Sequence, residues 1–446
     1  MRLLISLIVL CLTPFSSVLA EPHSHGGRTH SHPLPAEGIH HKHGATGAPG
    51  QAINAKNNTQ NSKKRLNTQP QKQVQGGDPN SELQRAYQRK DYKKVYRIAS
   101  QYAKKGDPAG QYILGQLYLL GQGQKKNPKL AFNWFKKSAA KGHPGAIYLL
   151  GTLYATGTGT RRNMSQAHKY YQQAAKFGIP DAYRSLGIMY ENGQGVKKSM
   201  SKAIHYYELA ANKGMTDVQL MLGERYIKGI GVKRNPAKGF KYIKKAAQAG
   251  DPAADYLLGV LYANGNGVKK NPALAFKYIS KAAKRNNPEA QYDLASMYAQ
   301  GLGTRKNMQQ AIKWYKKAGK NGVLLAQHNL GLIYLQGIGT PKNEKAAFSW
   351  FKKAAQKGLP ISQYFLGDLY VDGIGVKKNY SQALKWYKKA AAKKFPAAQY
   401  SVGAMYANGF GTKKNLKTAK SWFQKAAKNG NQKAIYALDV LRKNGI

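Results

Sequence analysis

The chain has 446 residues, with 72 Lys and Arg against 19 Asp and Glu, a formal net charge of +53 and one cysteine. A single thiol excludes an intrachain disulfide framework and a cysteine-based metal centre. The basic excess points toward anionic surfaces and polymers as partners.

The first segment reads as a leader. Arg2 is followed by an apolar run from Leu3 to Leu12, then Pro14, and Val18-Leu19-Ala20 precedes Glu21. This pattern predicts a signal peptide over residues 1–20, cleaved after Ala20. The run falls short of the ~20 apolar residues of a membrane-spanning helix, and no later stretch reaches that length. The mature chain is therefore expected to be soluble and periplasmic or secreted. A lipid anchor on Cys11 is disfavoured because Leu10 stands where a small residue is required. Cys11 would leave with the leader, and with it any thiol nucleophile or thiolate ligand.

Residues 21–79 are rich in His, Gly, Pro, Asn, Gln and Lys and almost free of apolar side chains, which predicts a disordered segment. Seven of the eleven histidines crowd here: His23, His25, His30, His32, His40, His41 and His43. Neutral imidazoles in His-x-His pairs suit Zn, Ni or Cu, so one reading is a loose metal-capturing tail. The other is a solvated spacer that gains charge below about pH 6.5. No other cofactor is implied. His143, His168, His205 and His328 occupy different positions in the pattern described next and form no repeated site.

Residues 80–106 are expected to form capping helices, with Asp91 to Gly106 in the register of a repeat's second helix. From 107 to 430, Gly-x-Gly returns nine times at a spacing of 36 residues, its second glycine running from Gly123 to Gly411. One fixed period of this length means one supersecondary unit stacked many times. Each unit reads as helix, glycine loop, helix. In residues 251–286, Leu258, Leu261 and Tyr262 make an apolar stripe beside the small Gly259. The second helix opens on an N-cap (Asn127, Asn163, Ser199 and their successors to Asn415), followed four residues on by a small residue. The glycine loops read as turns with positive φ, not as phosphate cradles, since no strand precedes them. Residues 431–446 read as a C-terminal capping helix, blunted by Asp439 and Arg442.

The unit, x-P-x-A-x-Y-x-L-G-x-L-Y-x-x-G-x-G-V-K-K-N-x-x-x-A-x-x-W-Y-K-K-A-A-x-x-G, resembles the Sel-one-like repeat family, relatives of the tetratricopeptide repeats. The resemblance implies an all-α, right-handed superhelical solenoid. It also implies an adaptor for protein complexes, in bacteria often at the envelope or host interface, with binding in place of catalysis. The family's cysteine-rich branch is not matched, because no repeat holds a cysteine.

In tetratricopeptide-like solenoids the first helix lines a concave groove. Positions equivalent to Ile113, Gln116 and Leu120 vary from copy to copy here, while a tyrosine recurs beside them. The candidate groove residues are Tyr112, Tyr148, Glu191, Glu224, Tyr256, Tyr292, Asp293, Tyr364, Asp368 and Tyr400. Asp255 and Asp372 are further acids of this face. Tyrosine offers large amphipathic area at low entropy cost, which suits a peptide-binding groove; the same rings could instead pack between repeats. Lysine and arginine pairs follow eight of the nine loops (Lys125 and Lys126 through Lys413 and Lys414) and recur on the second helix (Lys136 and Lys137, Lys244 and Lys245, Lys316 and Lys317, Lys352 and Lys353, Lys388 and Lys389). Stacking turns each series into a basic stripe. Protein partners are the expected ligands, with anionic envelope or host polymers (lipopolysaccharide, anionic lipid, glycan) as the alternative. The aromatics are assigned to the inter-helix core, so specific nucleic-acid recognition is not expected. No catalytic triad or metalloprotease signature occurs, and the chain reads as non-enzymatic.

Overall fold

The computed structural model describes residues 79–446, all of whose regular elements are α-helices, 21 in number. The leader, the histidine-rich segment and its seven candidate metal ligands lie outside the described residues. Helices Pro79–Gln88 and Tyr92–Lys104 precede nine pairs, from Pro108–Leu120 with Pro128–Ala140 to Pro396–Asn408 with Leu416–Lys428, and Gln432–Lys443 follows. The described chain falls into two compact units, 79–222 and 223–446, divided within helix Thr216–Lys228.

Local chemistry sets the element boundaries. All nine second helices are capped by the Asn or Ser at their N-cap, whose oxygen accepts the amide three residues on, as Asn271 does from Leu274 at 3.0 Å. Each such cap is worth ~1 kcal/mol. The same residue's own amide donates to the carbonyl of the repeated tyrosine, from Asn127 to Tyr118 through Asn415 to Tyr406, at 2.7–2.8 Å in every copy. Seven of the nine first helices open on a proline, at the position where the missing N–H has no intrahelical partner to lose.

Both loop glycines hold positive φ in all nine repeats. The second is excluded from bearing a side chain for another reason as well. A Cβ on Gly159, Gly267, Gly303 or Gly375 would lie 2.0–2.2 Å from the carbonyl oxygen of the first residue in the preceding repeat's second helix, and one on Gly123 would lie 2.2 Å from that of Tyr92, which opens the capping helix. The loop is therefore a joint that seats one repeat on the last.

Within a repeat the two helices meet at the small residue of the first. A Cβ on Gly151 would stand 2.7 Å from Tyr171, and one on Gly367 would stand 2.4 Å from Tyr387. The fully buried alanines of the second helix (Ala131, Ala167, Ala203, Ala275 and their equivalents) allow the same close approach from the other side. In helix Gln432–Lys443, Asp439 pairs with Arg442 at 2.6 Å and Lys443 at 3.1 Å. That helix nevertheless leaves Ile435, Tyr436 and Val440 exposed, so its outer face is less blunted than its charges suggest.

Candidate binding surfaces

The first-helix tyrosines share one arrangement. Tyr112, Tyr148, Tyr292, Tyr364 and Tyr400 each pack on the second-helix ring 23 residues on (Phe135, Tyr171, Tyr315, Tyr387, Phe423), with ring centres 5.5–5.9 Å apart. Tyr112 also stacks on His143 at 4.4 Å and accepts a hydrogen bond from Gln116 at 2.9 Å. These rings join the helices of a repeat, and Tyr112, Tyr148, Tyr364 and Tyr400 stay half-buried.

Three of the predicted groove residues lie inside the protein. Tyr256, Tyr292 and Asp293 are less than a tenth exposed, and the Tyr256 hydroxyl donates to Asp293 Oδ2 at 2.9 Å. Burial pushes the Asp293 carboxyl up to about 7, against the lowering effect of that hydrogen bond. Asp368 is likewise raised to about 7 by burial, although the Tyr387 hydroxyl donates to it at 2.5 Å. Glu191 accepts from the Tyr207 hydroxyl at 2.7 Å, and Glu224 pairs with Lys228 one turn on, at 3.6 Å. The acids of this face are thus tied to hydroxyls and ammonium groups of their own repeat or, for Asp293, of the preceding one. Its accessible part is carried by the half-buried tyrosines and by the residues that vary between copies.

Asp255 departs furthest from a groove role. Its carboxylate is fully buried and receives Lys281 at 2.9 Å and Arg285 at 3.1 Å, both on the second helix of the same repeat. Six sibling repeats carry Gln at this position, and in all six its Nε2 donates to a carbonyl at the end of the preceding second helix, as Gln219 does to Ala211 at 2.8 Å. This amide ladder between repeats escaped the sequence reading, although the Gln that recurs in six first helices, four times as Gln-Tyr, was its signal.

On the second-helix face, all sixteen loop cations from Lys125 to Lys414 and all ten paired lysines of the helices are exposed. The aromatics assigned to the core do pack against it, Trp134 and Trp422 from its edge. Trp134, Trp350 and Trp422 are only half-buried, and all five tryptophans lie under the ammonium of the lysine three residues on, at 4.0–4.5 Å from the ring centre. One helical turn brings the two side chains together, and the ring's quadrupole holds the cation.

Among the described residues no group of three or more His, Cys, Asp or Glu is placed to hold a metal ion, and no helix is long and apolar enough to cross a membrane. His328 is buried between Phe351 and Phe365, and its Nδ1 lies 3.0 Å from the Ser362 hydroxyl. Burial pushes its pKa down to about 4.

Helix pairs seated on one another through glycine joints, with one aromatic-lined face and one basic face, define an all-α solenoid of the protein-scaffolding class. The chain belongs to the Sel1 repeat family, matching it at 108–143, 144–176, 180–215, 216–251, 252–287, 288–323, 324–359, 360–395 and 396–431. It is similar to a Sel1 repeat protein from Oxalobacter formigenes, at 30% identity and a TM-score of 0.59, over 71% of this chain and 94% of that one. It is also similar to a protective antigen of uropathogenic Escherichia coli strains that displays an SLR fold, at 30% identity and a TM-score of 0.47, over 82% and 88% of the two chains. No curated protein sequence matches the chain.

Proposed function

We propose that this protein is an exported, non-catalytic scaffold that binds a protein partner on its first-helix face. The division of labour within the repeat carries this reading. Caps, loop glycines and the close helix contact recur through all nine copies. The positions equivalent to Gln116, by contrast, run Thr152, Ile188, Glu224, Val260, Ser296, Leu332, Asp368 and Ala404. Positions that tile are fixed; of the varied series Val260, Ser296 and Leu332 are buried, and its half-buried members are the ones free to specify a partner. The leader pattern of residues 1–20 supports export to the envelope or beyond it.

A second reading rests on the exposed cations of the loops and second helices, which would draw the chain to anionic envelope or host polymers. Photo-crosslinking groups at Gln116 and Thr152 on one face, and at Lys244 and Lys388 on the other, separate the two when the mature chain is mixed with an envelope extract. Adducts with one discrete protein from the first-helix positions support the scaffold. Adducts only from the lysine positions, to glycan or lipid, favour the second reading, and no adduct from either face overturns both. The histidine-rich tail is proposed as a weak Zn, Ni or Cu site.

A further inference from the structure

The sibling repeats act as internal references, and one repeat departs from them. In eight of nine second helices the penultimate small residue is alanine (Ala139, Ala175, Ala211, Ala247, Ala283, Ala355, Ala391, Ala427); in helix Met308–Lys320 it is Gly319. A Cβ there would sit 3.3 Å from Trp350 and 3.4 Å from both Gln327 and Leu330. Beside it lies a cleft of about 340 Å³ walled by Gly319, Trp350 and Gln327 and rimmed by Lys320, Lys353 and Lys357. The Lys353 ammonium stands 4.4 Å from the Trp350 ring centre.

The floor of this cleft holds an unmet acceptor. Gln327 is 4% exposed and its Nε2 donates to the Gly319 carbonyl at 2.8 Å, but its Oε1 is buried with no hydrogen-bond partner among the described residues. Gln111, Gln219 and Gln363 share this unmet acceptor, whereas Gln291 receives the Asn321 amide at 2.9 Å and Gln399 that of Asn429 at 2.8 Å. The residue in the matching place for Gln327 is Lys357. A second cleft of similar volume, lined by Lys313, Lys316 and Lys317 on the same helix, adjoins through the shared Lys320. The two clefts together present six lysines and no carboxylate.

We propose that the Gly319 cleft binds one unit of an acidic polysaccharide. The unit's carboxylate or sulfate would lie on Lys320 and Lys357 and the C–H edge of its ring against Trp350. The lysine cleft beside it takes the next anionic unit. An unbranched phosphate polymer meets the lysines equally well but supplies no apolar ring edge for Trp350, so the saccharide is the better match. The inference rests on the second reading above, in which the basic face engages polyanions.

The test is calorimetric titration of the mature chain with hexagalacturonate, with neutral maltohexaose and inorganic polyphosphate as the other arms. Hexagalacturonate should bind and maltohexaose should not. Gly319→Ala, which restores the residue of the eight siblings, should weaken hexagalacturonate roughly tenfold. Lys357→Asn should do the same, since it removes one of the cations that rim the cleft. Lys388→Gln with Lys389→Gln, in another repeat, should change the affinity less than about twofold. Binding of hexagalacturonate unaffected by Gly319→Ala and Lys357→Asn would overturn the cleft while leaving the polyanion reading in place, as would polyphosphate binding as tightly. Absence of binding to every polyanion would overturn both.

Discussion

Gly259→Ala sets two effects of opposite sign against each other. In helix Pro252–Asn264 alanine is the better helix former by about 1 kcal/mol, so propensity alone predicts a gain. The close helix contact predicts a loss. The new Cβ would stand 2.6 Å from Ile279 Cγ1, and behind that side chain lie two backbone atoms, the Ile279 nitrogen at 3.1 Å and the Ala275 carbonyl oxygen at 3.3 Å. A rotamer change of Ile279 relieves the first contact but not the others, so the helices must separate. Overpacking of this kind costs ~1–3 kcal/mol. The net expectation is a loss of up to ~2 kcal/mol despite the better helix former.

Thermal unfolding followed by circular dichroism gives the sign. Amide hydrogen exchange in residues 252–284 localises the effect, because repeat arrays open in pieces. Ala295→Gly is the matched control: that repeat already accepts alanine against Tyr315, so the reverse change should cost only the propensity term, ~1 kcal/mol. A Gly259→Ala protein that is more stable than the parent would refute the argument that the recurring glycine exists for helix contact.

The buried Asp255 offers a graded prediction: Asp255→Leu strands Lys281 and Arg285 and should cost ~1–3 kcal/mol, below the usual cost of breaking a buried pair because both cations are partly exposed, whereas Asp255→Gln restores the sibling amide and should cost less; equal losses in a urea titration would count against the amide ladder. Asp293 is raised to about 7 in the fold, so between the ordinary carboxylate range and that pH the unfolded chain has released a proton that the native chain keeps, and stability should fall as pH rises through this window. Asp293→Asn should flatten that slope, and an unchanged melting profile would show that the carboxyl is solvated. His328 acts with the opposite sign, since its native pKa is lowered to about 4; stability should drop as pH falls from about 6.5, and His328→Gln should remove the drop. For the histidine-rich tail, Ni or Zn binding measured on the mature chain should vanish below about pH 6 and be absent from a chain beginning at Gly77; retention in the shortened chain would place the site elsewhere.

What could be read ahead of the structure was what repeats locally. An asparagine before each second helix and two glycines before it are short-range signals, and the nine caps and nine loop pairs lie where their spacing put them. Depth was not legible in the same way. Periodicity shows that Tyr256, Tyr292 and Tyr364 share a helix face, but how far each sinks depends on residues 23 to 37 positions away, such as Tyr315 and Asp293, and those contacts leave no mark on the local pattern. The Trp-x-x-Lys pairs were present in the sequence and went unread for a related reason: an amphipathic ring at the edge of a core is half buried, and its exposed part is what the lysine covers. The most informative residues for function are therefore those that break the unit's own rule. Asp255 replaces the ladder amide, and the result is a buried ion pair. Gly319 replaces an alanine in the wall of a lysine-rimmed cleft. Neither change is needed to stack one repeat on the next, since the sibling copies stack without it.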